Sequence, residues 1–479
     1  MANYRTPGVY VEEISTLPAS VAQVETAIPA FIGYTEKAEL NGENIYNEPT
    51  RITSLPEYEE MFGGPDHETT SSVTINEDAD GNKTTTVLAP TTRSKYLMWY
   101  SMKMYFDNGG GPAYIVSIGH YTTTANGAVN KDLLSGGLSP LEKEDEPTLI
   151  LFPDITGLYN PSTAGTKTSS SAVIYGIYAS ALSQCNDLKD RFTIMDTPSG
   201  SDGDDDLLRD NLTSDYLKYG AAYYPHLKTT LSYSYEDTGV QLVHNLPNDE
   251  DDNPVTGDHN GTTMDALKSA DNELYNQITA KLIAIPVVMP PSSAMAGIYA
   301  RVDTDRGVWK APANVSVNNV IMPTVKITNT EQDGLNVDPT AGKSINAIRS
   351  FTGKGPLVWG ARTLDGNSNE WRYVSVRRFY NMVEESVKKA TERVVFEPND
   401  ANTWIKSKAQ IENFLNNLWR QGALAGAVPD QAFFVNIGLG QTMTALDILE
   451  GRMIIEIGMA VVRPAEFIIL RFSHKMQES

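Results

Sequence analysis

Few residues in this sequence have types and spacing that could do chemistry, and each set falls short of its template. AGKSI (341–345) resembles the end of a loop that cradles phosphates, but GxxxxGK[ST] needs glycine where Val337 stands, and the nearest upstream glycine is Gly334. The expectation is a turn before the strand SINAIRS. NEDADG (76–81) places Asn76, Asp78, Asp80 and Gly81 as in the first half of a calcium loop. The bidentate glutamate required at the twelfth position is Val87, so an acidic hairpin tip is expected. The histidines at 67, 120, 226, 244, 259 and 474 form neither HExxH nor a helical pair. No GxSxG elbow occurs. His226 or His244 could join a triad only by assembly in space, and nearly half the histidines sit in polar stretches where exposure is expected. Cys185 is the only cysteine, which excludes an intrachain disulfide, a CxxC pair and a cysteine-built zinc cluster, and fits folding in a reducing compartment. No catalytic, cofactor-binding or metal-ligating residue is assigned.

The composition points the same way. Sixty acidic against 38 basic residues in 479 give a formal charge of −22, so attraction to nucleic acid or anionic lipid is not the main business of the chain. Ordinary globular proportions, 41% hydrophobic and 20% charged, indicate a folded protein with a real core. The opening MANYRTPGVYVEEI has no signal-type apolar region, and stretches such as LIAIPVVMP fall short of the roughly 20 residues that span a bilayer. Soluble synthesis in the cytoplasm is expected.

The elements that would position any site read as an α/β fold. Residues 1–20 form an extended arm between Pro7 and Pro18. AFIGY (30–34), PAYIVSI (112–118), TLILFPD (148–154), RFTIMD (191–196), YGAAYYP (219–225) and IAIPVVMPP (283–291) read as near-continuous apolar strands. Helices at 93–107, 171–188, 264–282 and 293–302 alternate with them, and Ser54 caps a short helix ending at Gly63 and Gly64. A mainly parallel sheet over 21–341 follows. The polar segments near 65–92, 120–145 and 229–263 read as surface insertions. Residues 342–465 read as a separate α+β domain with two amphipathic helices, the first ending before Pro398 and the second at Gly422. Strands at 453–462 and 466–475 follow, residues 466–479 making a C-terminal strand arm. From Gly342 onward 17 basic residues face 14 acidic ones, which leaves −25 upstream. Lys388, Lys389, Arg393, Lys406, Lys408 and Arg420 read either as a solvated face among glutamates or as a docking surface for an acidic partner. The strand-like termini can pair within the subunit or add to a neighbour's sheet edge.

With those residues in view, TPGVYVEE, FDNGGGPAYIVSI, VMPPSSAMAGIYARVDTDRGVWKAPAN (288–314), GPLVWGARTL (355–364), RRFYNMVEESVKKATERVVFEPND (377–400), NLWRQGAL (417–424) and RPAEFIILRF (463–472) resemble the contractile tail sheath proteins of phage tails and phage-tail-like injection particles. The likeness runs in order from end to end and thins at the three insertions. It implies a mechanical subunit that stacks in rings, with six-fold symmetry, around an inner tube and contracts to drive the tube through a target envelope.

Its implied partners are other copies of itself, the tube protein, baseplate and terminal cap proteins, and related sheath chains where a particle has several. Its implied place is a phage tail or injection particle. Carried onto this sequence, the N-terminal arm is Gly8, Val9, Tyr10, Val11 and Ile14, and the C-terminal arm is Phe467, Ile468, Ile469, Leu470, Arg471 and Phe472. The receiving strand includes Ile454, Ile455 and Ile457. The domain at 342–465 would face the tube with the six basic residues named above, and the acidic insertions would face outward. An α/β hydrolase-like enzyme, and a carbohydrate-binding surface protein using the Tyr-rich SYSYED region, remain alternatives from the residues alone.

Overall fold

The computed structural model describes residues 21–68, 71–90, 92–122 and 128–471. The expected N-terminal arm and Phe472 lie outside the described residues. The chain divides into two compact units, one of Glu25–Met382 with Arg463–Ser479, the other of Met1–Val24 with Val383–Val462.

The larger unit is built on six parallel strands: β1 (Pro29–Thr35), β2 (Ala113–His120), β3 (Leu149–Leu151), β4 (Phe192–Asp196), β5 (Gly220–Tyr224) and β6 (Ile345–Phe351). They lie in the order β2-β1-β3-β4-β5-β6, with antiparallel edge strands Thr50–Ile52 beside β2 and Gly355–Val358 beside β6. Burial on both faces explains the unbroken apolar runs. Phe31, Ile115, Leu151, Ile194 and Tyr223 belong to one core, packed with α1 (Met98–Asp107); their neighbours Ile32, Val116, Ile150, Met195 and Tyr224 belong to the opposite core, packed with α2 (Ala164–Leu188). The first of these cores also holds Met295, Ile298 and Tyr299 of α3 (Ser292–Arg306).

Several expectations are corrected. The domain boundary at 341/342 falls just ahead of β6, which is part of the central sheet, so 345–358 belongs with the upstream domain. Pro286–Met289 leaves the parallel sheet and pairs antiparallel with Leu227–Ser232, which also pairs with Val320–Pro323. The helix expected at 264–282 is two, Met264–Ala270 and Asn272–Ile283, because Asp271 adopts a non-helical backbone and its carboxylate accepts the Leu274 N–H at 3.0 Å. In the 120–145 insertion, Lys131–Gly136 and Leu138–Leu141 are helical and bury Leu134, Leu138 and Leu141 in the α2-side core.

The other two insertions join. Ser72–Glu77 pairs parallel with Gln241–Leu246, and the strands Lys83–Val87 and Val255–Thr256 flank them. Val73, Ile75, Val240 and Leu242 form a small core of their own under Met264, Leu267, Leu274, Ile278 and Leu282.

The smaller unit contains the end of α4 (Val374–Thr391) and all of α5 (Ala401–Arg420), which starts where Asp400 accepts the Thr403 N–H at 2.9 Å. Val383, Val387, Ile411, Phe414, Leu415 and Leu418 are buried, as their spacing of three and four predicts. It also holds two short antiparallel strands, β7 (Phe433–Asn436) and β8 (Glu456–Met459), and the short helices Pro429–Ala432 and Ala445–Leu449.

Candidate assembly surfaces

In a parallel α/β sheet, ligands bind outside the carboxyl ends of the strands where the order reverses, here between β1 and β3. That crevice is filled from within. The fully buried Asp154, just past β3, accepts the N–H of Tyr34 at 2.6 Å and of Leu97, at the start of α1, at 2.5 Å. Burial pushes its carboxyl up to about 7 against the opposing effect of these N–H groups. Gly33 is required here, because a Cβ would stand 2.4 Å from the Asp154 carboxylate. Beside it, Asp196 at the end of β4 accepts both the N–H (2.8 Å) and the hydroxyl (2.5 Å) of Ser292, which fixes the start of α3. Where a ligand's anionic group would sit, the chain has placed its own.

The remaining chemical candidates are likewise occupied. The buried His226 donates from Nε2 to the Thr197 carbonyl at 2.9 Å, and burial lowers its pKa below the usual imidazole value. His244, expected to be exposed, is buried: it stacks on His259 with ring centroids 5.4 Å apart and meets Glu77 at 3.2 Å. AGKSI leads from a turn, in which the amides of Thr340 and Ala341 donate to Asp338, into β6 at Ile345, and the Lys343 ammonium is held by the carbonyls of Arg209 and Leu212. At the NEDADG tip, Asp78 accepts the N–H groups of Asp80 and Asn82 and closes the hairpin. In SYSYED, Tyr233 is buried in the central core, which removes it from any binding face. Among the described residues no group of three or more His, Cys, Asp or Glu side chains is placed to hold a metal ion.

What the surface does offer is backbone edge and apolar side chain. Among the described residues β7 and β8 form a sheet of two strands, a size that rarely stands alone. Of the expected receiving strand 453–461, only Glu456–Met459 is strand; Ile457 lies opposite Val435, and Ile454 and Ile455 precede it. The expected C-terminal strand has no strand structure within the described 466–471, yet Phe467, Ile468, Ile469 and Leu470 are 69%, 79%, 77% and 72% exposed. Four consecutive large apolar residues in water call for a partner surface.

The residue just before them is fixed. Glu466 takes a two-pronged bond from Arg362, Nε to Oε1 at 2.9 Å and Nη2 to Oε2 at 2.7 Å, with further donors from Asn336 (2.7 Å) and Tyr373 (3.1 Å). Burial would raise the Glu466 pKa, but the donors, Arg362 foremost, outweigh it and hold it below the usual value.

The charge expectation changes with the unit boundary. Residues 383–462 carry seven basic and ten acidic residues, a net of −3, so this unit is not basic. The surplus lies in 342–382, where Arg362, Arg377 and Arg378 are buried and hold the fold together. Of the six tube-facing candidates, Lys388 and Lys389 pair with Glu385 at 3.1 and 3.5 Å, and Lys408 with Glu412 at 3.7 Å. Arg393, Lys406 and Arg420 are exposed. Lys406 and Lys408 sit roughly 200° apart on α5 at 3.6 residues per turn, so the six do not share one face.

Residues 367–475 match the family model of the phage tail sheath C-terminal domain. The whole chain is similar to a subunit of the PVC sheath complex of an extracellular contractile injection system in the contracted state, at 29% identity, 99% coverage of both chains and a TM-score of 0.62. Against the helical sheath of the anti-feeding prophage in its contracted state, identity is 29%, coverage 98% and 100%, and TM-score 0.63. A chain of the six-fold symmetrised anti-feeding prophage baseplate is 30% identical, with 99% and 100% coverage and a TM-score of 0.61. The chain belongs to the contractile tail sheath family. The sheath chain also resembles the tail sheath proteins of Vibrio phage KVP40 (24% identical over 139 residues, 28% of this chain and 20% of the relative) and Burkholderia phage BcepMu (30% over 142 residues, 29% of each). These matches span less than a third of the phage proteins' own length.

The sequence reading of the sheath chain missed the Arg362–Glu466 pair. The signal was present: RPAEF places one acidic residue between Pro464 and an apolar run, and a charge there needs a partner.

Proposed function

We propose that this protein is the repeating subunit of a contractile sheath, polymerising around an inner tube and shortening to drive that tube through a target envelope. The carrying observation is the likeness over the full chain to subunits of two contracted sheaths. The exposed 467–470 run, next to an anchored Glu466, supports the reading that the C-terminal arm, with Arg471 and Phe472, adds as a strand to the β7–β8 sheet of another copy. Residues 8–14 would do the same from the other end. Backbone pairing tolerates rigid-body rotation of subunits better than interlocked side chains do, which suits a lattice that must stay connected while it shortens. A few kcal/mol per subunit suffices, since moving a two-state equilibrium from 1:99 to 99:1 takes about 5.5 kcal/mol and a connected lattice sums the contributions of its subunits.

The partners in this reading are further copies of the chain, an inner tube, a baseplate, a terminal cap and, where present, related sheath chains. Production takes place in the bacterial cytoplasm, as part of a phage tail or injection particle. No described helix is long and apolar enough to cross a membrane. The test is electron microscopy of the overproduced protein: tubes of uniform width are expected, and variants lacking residues 1–15 or 467–479 should stay folded without forming them. Isolated particles from the full chain at high concentration would refute the reading.

A further inference from the structure

The two chain segments that lead toward the arms are each gripped by a buried arginine. Toward the C-terminus, Arg362 grips Glu466 as described, its side chain only 4% exposed. Toward the N-terminus, Arg378 donates to both Asp303 oxygens and, at 2.8 Å, to the backbone carbonyl of Thr26, whose own hydroxyl donates to Asp303 at 2.6 Å. Arg378 and Asp303 are 3% and 7% exposed, and the guanidinium lies 4.5 Å from the Tyr299 ring centre.

These two grips are parts of one piece of structure. Arg362 pairs with Tyr373 across a short antiparallel bridge, closed by Thr363 N–H to Arg372 O at 2.9 Å and Val374 N–H to Ala361 O at 3.0 Å. Val374 begins α4, and Arg378 follows one turn later. The bridge is tied to the central sheet by the buried Asn346 of β6, which accepts the Arg362 N–H at 2.7 Å and donates to the carbonyls of Arg362 and Ala222. An uninterrupted line of hydrogen bonds and helix therefore runs from Glu466 through Arg362, Tyr373 and α4 to Arg378, Asp303 and Thr26. Two-pronged guanidinium–carboxylate pairs resist both pulling and twisting, unlike a single ammonium contact.

We propose that the 361–378 segment is a strut in which Arg362 and Arg378 are positioning residues, carrying load between the anchors of the two arms along a path that Asn346 braces against the central sheet. The proposal rests on the arm-exchange reading above. It goes beyond that reading in naming the residues that set where each arm leaves the body and that bear the force.

The test uses three variants of the chain, Glu466→Ala, Asp303→Asn and a deletion of 467–479, each checked to be fully folded at the assay temperature, since removing one partner of a buried pair lowers the unfolding midpoint. Polymerisation is measured by sedimentation, and breakage of assembled sheaths by counting tube lengths after controlled shear. Glu466→Ala should raise the critical concentration about tenfold, the equivalent of one charged hydrogen bond. Either point variant should give sheaths that fragment at lower shear than wild type. Wild-type concentration and shear resistance in both, with the deletion still blocking assembly, would overturn the strut and leave the arm reading standing. Assembly by the deletion variant would overturn both. Should Glu466→Ala fail to fold, Glu466→Gln keeps the side-chain volume and decides on the same readouts: about a threefold rise supports the strut, and wild-type values overturn it.

Discussion

Val73 and Leu242, from insertions that the chain makes far apart, lie opposite each other as partners in one parallel strand pair. Neither insertion could bury its apolar side chains alone, since Val73 and Ile75 are covered only when Leu242 and the helices at 264–283 are present. The segments that look least ordered in sequence are one folded unit with its own core.

Leu242→Ala should therefore cost about 2–5 kcal/mol locally, as a large-to-small change at a 1%-exposed site. Hydrogen exchange should rise in both 72–87 and 241–256, while β1, β3 and β4 keep their protection. Loosening confined to 241–256 would refute the shared core.

The central sheet was legible because its strands are buried on both faces, and a run such as Phe192–Asp196 has no other reading. α4 and α5 were legible because their apolar residues recur at three and four. What stayed hidden was what depends on distant partners. The cross-pairing of the insertions has no local signature, and Pro286–Met289 reads like any buried strand until its antiparallel neighbour Leu227–Ser232 is known. The charge division at 342 was misleading because charge counts do not register burial: Arg362, Arg377 and Arg378 swell the basic total while contributing almost nothing to the surface. Asp154 was invisible as a plug, because a carboxylate after a parallel strand is also how a ligand site looks.

Asp154 gives a pH test. Its folded pKa, about 7, lies above the unfolded value, so the stability linked to its protonated form is full below the unfolded pKa and is lost as pH rises toward 7. The upper bound is about 4 kcal/mol, at 1.36 kcal/mol per pKa unit. Asp196, also near 7, adds in the same direction. Asp154→Asn should flatten the slope of unfolding midpoint against pH between about 4 and 7. An unchanged slope would show that this carboxylate does not titrate in that window.

Glu466 has the opposite sign. Its folded pKa is depressed, chiefly by Arg362 acting against burial, so the stability of the clamp is present above the unfolded carboxylate value and lost as pH falls through the folded one. Amide exchange at 467–470, corrected for intrinsic rate, should accelerate in acid in the wild-type chain and be less pH-dependent in Glu466→Gln. Equal pH dependence in the two would assign the change to another group.

Charge reversals separate the six basic candidates by what each already does. Glu385 is 7% exposed and is paired with Lys388 and Lys389, so reversing both lysines leaves a nearly buried carboxylate among like charges and should lower the unfolding midpoint. Any loss of tube attachment in that variant then reports damaged folding as much as lost contact. Lys406 and Arg420 are exposed, sit about 40° apart on α5 at 3.6 residues per turn, and have no ion pair among the described residues. Reversing these two should leave the midpoint unchanged within about 0.5 kcal/mol, as for surface substitutions generally. If the α5 face meets an acidic tube, the same variant should form sheaths that no longer co-sediment with tubes, most clearly at low salt where screening is weak. Normal co-sedimentation of the Lys406→Glu, Arg420→Glu chain at low salt would remove α5 from the tube interface, and Arg393 would be the next residue to reverse.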